Sequence, residues 1–160
     1  MSNQERDPAG PPFPPWVYKW IMNPTISLIL RSPLHRLMSQ HLLLLTFTGH
    51  KSGKQFTTPV GYERWDDKLI VMTRRPWWKN FQGGAAVKLL FQGKNRPAMA
   101  TAVTDKKQIA DYIHHSVQQN DAQFNVRRFG LTAAEAKALN QQRLEEAAEN
   151  QRMIEIELKT

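Results

Sequence analysis

No cysteine occurs among the 160 residues. Disulfides, thiolate metal sites and a cysteine nucleophile are thereby excluded, while the compartment is left open. Nor does any apolar run approach the roughly 20 residues that a spanning helix needs. The N-terminal stretch MSNQERDPAGPPFPP is polar and Pro-rich and lacks an apolar h-region, so no secretory signal is expected and a cytoplasmic protein is the default. Acids are scarce where bases are dense. Residues 51–100 hold ten Lys/Arg against three Asp/Glu, whereas residues 1–50 hold four against two and residues 101–160 eight against nine. The net charge of +8 is therefore concentrated in the middle of the chain, a field suited to anionic partners such as phosphorylated cofactors, acidic substrates, nucleic acid or acidic lipid. What is present is enough apolar material, 41% of residues, for one domain with a real core.

Residues 1–15 contain five prolines and are expected as an extended tail ahead of a single domain over 16–160. The stretch 16–40, WVYKWIMNPTISLILRSPLHRLMSQ, reads as helical pieces broken at Pro24 and Pro33. Trp16, Trp20, Ile21, Leu28 and Ile29 could form its apolar face, packed across a barrel mouth or, given the nearby Lys and Arg, resting on a membrane surface. HLLLLTFT is short and bounded by Gly49, which indicates a buried strand. FTTPVGYERW follows as a strand that Pro59 confines to an edge or a bulge. The Asp pair 66–67 turns the chain into KLIVMT. RRPWWKNFQGG predicts one helical turn entered at Pro76 and ended at Gly83, then AVKLLFQ and RPAMATAVT are joined by the turn GKN. DKKQIADYIHHSVQQ is a helix capped at Thr104 or Asp105, with Ile109, Tyr112, Ile113 and Val117 on one face. TAAEAKALNQQRLEEAAEN is a second helix with Thr132 and Glu135 at capping-box spacing, and RMIEIELK closes the chain as an alternating strand. The fold class expected is α+β, mainly antiparallel β: a six-stranded barrel with a helical insertion over about 105–150.

The stretch TFTGHKSGKQFTTPVGY, residues 46–62, places a flexible, basic, donor-rich turn between two strands. Gly49 and Gly53 permit positive φ, so that backbone N–H groups can converge on an anion, while Lys51, Lys54 and Ser52 add charge and a hydroxyl. A phosphate loop of the nucleotide-hydrolase kind is excluded, because Thr48 and Gln55 occupy the positions that would need Gly and Ser/Thr, and a strand rather than a helix follows. The spacing alone leaves a phosphate turn and a solvated basic hairpin both open.

The order of elements extends the reading. Thr48-Gly49-His50-Lys51-Ser52-Gly53, Thr58-Pro59, Trp77-Trp78-Lys79-Asn80 and Gly83-Gly84, after a Leu-rich strand, resemble the deazaflavin-dependent nitroreductase family over roughly residues 30–104. That family consists of split β-barrel proteins related to pyridoxamine-phosphate oxidases and flavin reductases. The resemblance implies a reductase that passes a hydride from reduced coenzyme F-420 to an electron-poor acceptor such as a quinone, an enone or a nitroaromatic. It implies that Lys51, Ser52, Gly53 and Lys54 hold the cofactor phosphate and acidic tail. His50, when protonated, is a further candidate phosphate donor, with a solvent-exposed turn position as its plainer role. Thr57, Thr58, Pro59 and Val60 would run along the ring system, with Thr73, Arg74, Trp78 and Asn80 closing the other side. A homodimer is expected by the same analogy. This chain departs from the family pattern at His50 and at Phe56, where Arg is usual. It also has the shortened segment TRRPWW and a C-terminal third whose only tyrosine is Tyr112.

Two rival readings accompany this one. FMN, or haem as in other split barrels, would suit the same fold, with FMN the alternative cofactor. A non-enzymatic basic module binding nucleic acid or anionic membrane is the third. The basic residues are interleaved with apolar strands rather than gathered in a stripe, so no nucleic acid is expected. Trp77 and Trp78 suit either ring stacking or core packing. His114 and His115 point about 100° apart on a helix and cannot chelate one metal together, so no metal is expected. Arg127 and Arg128 are expected to solvate a loop, with a substrate or tail contact as the alternative. Tyr62 is a candidate proton donor, with cross-strand packing as its plainer role. No nucleophile–base pair is evident and no catalytic residue is assigned, since hydride transfer leaves the chemistry to the cofactor.

Overall fold

A computed structural model describes residues 28, 40–121, 124, 128–131, 133–138 and 141–159. The tail over 1–15, the broken helix with its membrane contact over 16–39 (position 28 aside), Arg127 and the Thr132 cap lie outside the described residues. The elements are β1 (Leu42–Thr48), β2 (Gln55–Gly61), β3 (Glu63–Trp65), β4 (Lys68–Thr73), a 3-10 helix (Pro76–Phe81), β5 (Ala85–Phe91), β6 (Lys94–Val103), α1 (Lys106–Gln119), α2 (Ala133–Ala138), α3 (Gln141–Glu149) and β7 (Arg152–Leu158). The second expected helix is thus described in two pieces, on either side of residues 139–140. Among the described residues no helix is long and apolar enough to cross a membrane.

All strand pairs are antiparallel, in the order β2-β1-β5-β6-β7-β4-β3. Among the described residues the six expected strands are seven, because FTTPVGYERW does not run straight. It breaks at Tyr62, and the two halves become the opposite edges of the sheet. Since β2 and β3 are separated by that single residue, the sheet must curl until its edges meet, which makes the split barrel. The Tyr62 N–H, lost to the strand ladder at the bend, donates instead to the His41 carbonyl at 3.0 Å. Pro59 lies on the edge strand β2, where a missing N–H can be accommodated. The β5–β6 hairpin turns at Gln92-Gly93, one residue earlier than GKN. Phe91 pairs with Lys94, and both turn residues have positive φ, +49° and +74°, as a tight hairpin of matching twist requires.

Period-2 alternation decides which side chains fill the barrel. Leu43, Leu45 and Phe47 of β1, Val87, Leu89 and Phe91 of β5, and Leu69, Val71, Ile154 and Ile156 of β4 and β7 point inward with Phe81. Between Lys68 and Thr73, KLIVMT is an unbroken apolar run because its strand is covered on both faces. Leu69 and Val71 join the barrel core, whereas Ile70 joins Met153 and the helices outside. Ile109, Tyr112, Ile113 and Val117 of α1 form the apolar face expected for that helix and pack in this outer cluster with Leu144 and Ala148 of α3. The Asp105 carboxylate caps α1 by accepting from the Gln108 N–H at 2.8 Å.

Candidate functional site

The β1–β2 turn is held by two backbone bonds, Gly49 N–H to Lys54 O and Gly53 N–H to Gly49 O, both 2.8 Å. Only Gly53 has positive φ, +64°; Gly49 does not, which corrects the expectation that both glycines use that freedom. Gly49 is required for room, because a Cβ there would sit 2.8 Å from the Phe56 ring and from Ser52 Oγ. The Ser52 hydroxyl accepts from the Lys54 N–H at 3.2 Å. Among the described residues the N–H groups of Lys51 and Ser52 have no intramolecular acceptor, and Lys51 and Lys54 have no acidic partner. The turn therefore presents two ammonium groups, a hydroxyl and two unspent backbone donors to solvent.

A second segment is tied to it. Asn80 Oδ1 accepts the His50 N–H at 3.0 Å and lies 2.9 Å from His50 Nδ1, while Asn80 Nδ2 donates to Trp77 O at 2.8 Å. His50 and Asn80 are thus brought together across 30 positions as a brace between the turn and the 3-10 helix. The brace also holds the segment that carries exposed Lys79, which sequence reasoning passed over, against the turn that carries Lys51 and Lys54. Trp77 stacks on Phe47 at 6.0 Å and meets Phe81 edge-on, so its role is packing. Trp78 lies partly buried under the Arg152 guanidinium, 5.5 Å from its ring. Thr73 is buried, and its hydroxyl accepts the Arg75 N–H at 3.1 Å. Arg74 follows it on the exposed surface.

Strand parity divides the next four candidates. Thr57 and Pro59 lie opposite Thr46 and Leu44 on the outer face, whereas Val60 belongs to the barrel core. Thr57 Oγ1 and Thr46 Oγ1 are 2.9 Å apart, and Thr46 is in register with Lys88 of β5. Thr57, Thr46, Lys88, Leu44, Leu90 and Asn95 line an open trough of about 480 Å³ down this face. Lys88 and Asn95 were missed because their place beside Thr57 depends on β5 pairing with β1, which no local pattern states. Thr58, on the inward side, directs its hydroxyl to the Pro59 carbonyl at 3.4 Å.

A larger cavity of about 800 Å³ lies at the other end of the hairpin, where α1 crosses the β2–β3 bend. Tyr62 is buried there, T-shaped on Phe91 at 5.3 Å. Burial pushes its phenol pKa up, against the opposing pull of Arg64 and a bond to Gln92. Arg128 lines this cavity rather than solvating a loop, as does His115, which stacks on Trp65 at 6.0 Å.

The comparisons with known proteins bear on this geometry. The model of the F-420H(2)-dependent quinone reductase family matches residues 31–134, well over half of the chain. The chain belongs to that family. In this quinone reductase the match begins ahead of β1, runs through the turn, β6 and α1, and ends before α3 and β7. It makes the chain a deazaflavin-dependent oxidoreductase with F-420H(2) as its reductant and a small-molecule acceptor of the quinone class. No curated protein matches. Of the solved structures, one described as a domain-swapped dimer is 16% identical, with 84% of this chain and 99% of that chain covered and a TM-score of 0.41. The FAD and heme binding protein from Mycobacterium smegmatis is 14% identical, with 81% and 67% covered and a TM-score of 0.41.

Proposed function

We propose that this quinone reductase holds the phosphate and acidic tail of F-420H(2) on the β1–β2 turn, with the ring in the outer trough beside Thr57. The observation that carries the assignment is the turn's unspent donor set: Lys51 and Lys54 without acidic partners, and the Lys51 and Ser52 N–H groups without acceptors among the described residues. Those groups fit a polyanion, since charge-assisted bonds to phosphate are the strong class. Lys79 and Arg74 extend the positive field along the same end of the barrel. His50 and Asn80 support this arrangement by bracing the turn against the 3-10 helix.

When bound, the reduced deazaflavin supplies the hydride. The chain's own work is positioning. Leu44, Leu89 and Leu90 give the trough an apolar floor, and Thr46 and Thr57 give it a polar strip. Hydride delivery to a quinone leaves negative charge on oxygen, and the exposed Lys88 ammonium in the trough wall would stabilise it. A homodimer belongs to the same proposal. The edge strand β2, whose Phe56 is 46% exposed, is the face that a second copy would cover, and sedimentation velocity reads the mass directly.

The test is a fluorescence titration with coenzyme F-420 and, in parallel, FMN, on the wild type and on the double variant Lys51→Ala/Lys54→Ala. Each charge-assisted phosphate contact is worth roughly 1.5–3 kcal/mol. The double variant should therefore lose at least tenfold in F-420 affinity with its fold intact. Equal affinity in the variant would remove the turn from the cofactor site and leave the family membership standing.

A further inference from the structure

The 800 Å³ cavity beneath α1 stands apart from the turn. The paired strands β1 and β2 lie between them, seven residues long, which is about 20 Å at strand rise. Its charges are unevenly satisfied. Glu63 is the carboxylate in the described wall and is well supplied with donors. Tyr112 OH lies at 2.5 Å, Ser116 Oγ at 2.8 Å and Asn120 Nδ2 at 3.2 Å. Arg128 is in the opposite position. Its side chain is only 18% exposed, yet its nearest approach to Glu63 is 3.7 Å and its bond to Tyr112 OH is long at 3.4 Å. Its Nε is buried with no partner among the described residues.

A guanidinium carries five donors in a planar fork, and leaving one of them buried and unbonded is costly. The Phe124 and Phe129 rings, 5.3 and 5.8 Å from the guanidinium carbon, hold it in place. Arg64 is a second cation in the wall, exposed over the Phe91 ring and without a carboxylate partner among the described residues. Arg64 and Arg128 against Glu63 leave one uncompensated positive charge, and Phe124 and Tyr62 add aromatic wall. We propose that this cavity is a binding site for a planar monocarboxylate, an arylcarboxylate of one or two rings. Its carboxylate would take the unspent donors of Arg128, with Arg64 at the mouth and the ring against Phe124. The fork geometry favours a flat carboxylate, and a dianion would overshoot the single positive charge while facing Glu63.

The probe is 2-naphthoate, titrated calorimetrically into the full-length protein, with neutral 2-naphthamide as control. The expected result is saturable one-to-one binding of the acid, with the amide at least tenfold weaker. Arg128→Lys, which keeps the charge and removes the Nε donor, should weaken naphthoate about tenfold. Lys51→Ala/Lys54→Ala should leave it unchanged, which separates this site from the cofactor turn. Arg64→Gln, at an exposed position, gives a second reading should the Arg128 variant fold poorly, and should weaken the acid and not the amide. Like binding of acid and amide, wild-type affinity in both arginine variants, or no saturation in the millimolar range would overturn the proposal. Two further assays with F-420H(2) identify the ligand's role. Loss of kcat/KM in Arg128→Lys for a carboxylated naphthoquinone, with plain naphthoquinone unaffected, would make the carboxylate part of the reduced acceptor. Non-competitive modulation of naphthoquinone reduction by naphthoate would make it a ligand that is not reduced.

Discussion

Gly49 has no space for a side chain, and this is the sharpest constraint at the scale of single residues. A methyl group there would lie 2.8 Å from the Phe56 ring and 2.8 Å from Ser52 Oγ. Gly53, four residues on, has open space around it and a φ of +64°. The two glycines serve one turn for different reasons, which spacing in the sequence could not separate. Gly49→Ala should force the ring and the turn apart and cost about 1–3 kcal/mol, as overpacking does. Gly53→Ala should cost about 1–2 kcal/mol through left-handed strain alone. Only Gly49→Ala should displace Phe56. Thermal denaturation gives the costs, and the aromatic side-chain NMR signals of Phe56 give the displacement. Phe56 signals that move as much in Gly53→Ala would contradict the distinction. The pairing of His50 with Asn80 was out of reach of the sequence for a related reason. Both residues could be picked out by their motifs, but a bond across 30 positions appears only when the 3-10 helix folds back onto the turn.

At the scale of elements, the strands were legible wherever one physical signal dominated. β1, β4, β5, β6 and β7 fall within two residues of their apolar runs, because burial on one or both faces leaves a period that can be read. The break at Tyr62 was not legible. GYERW keeps the composition of a strand through the bend, and what stops it is the curl of the sheet. The clasp between barrel and insertion was also hidden. Glu63, at the start of β3, gathers Tyr112, Ser116 and Asn120 from α1 and its C-cap, with Arg128 beyond. Removing it would strand a half-buried Arg and a buried tyrosine hydroxyl. Glu63→Ala should therefore lower stability by about 2–4 kcal/mol. The loss should be uneven, with α1 losing hydrogen-exchange protection before β1 and β5 do. Uniform loss across sheet and helix would show that Glu63 is not the fastening point.

For the whole molecule, the sequence yielded the architecture through a few consistent signals and the family through the order of its motifs. The curl that joins β2 to β3 had to come from the structure. That architecture buries several proton-bearing groups, with a consequence for pH. Burial pushes the Tyr112 phenol well above its ordinary value, with Glu63 adding to the rise and Arg128 opposing it. The Tyr62 phenol is raised by burial too. Lys68 is raised chiefly by its 2.7 Å bond to Glu155, which ties β4 to β7. In each case the folded state keeps its proton at a pH where the unfolded chain has begun to lose it. The unfolded values lie near 10 to 10.5. The stabilisation is thus fully present below about pH 10 and is lost as pH rises through the folded values. The melting temperature should stay flat in this respect from pH 7 to about 9.5 and fall steadily above it. Tyr112→Phe should lower it at pH 7, because the bond to Glu63 is gone, and should flatten the alkaline fall, because one of the retained protons is gone. Circular dichroism melts of both proteins between pH 7 and 11.5 read the two slopes, and parallel curves would exclude Tyr112 as a source of the alkaline loss.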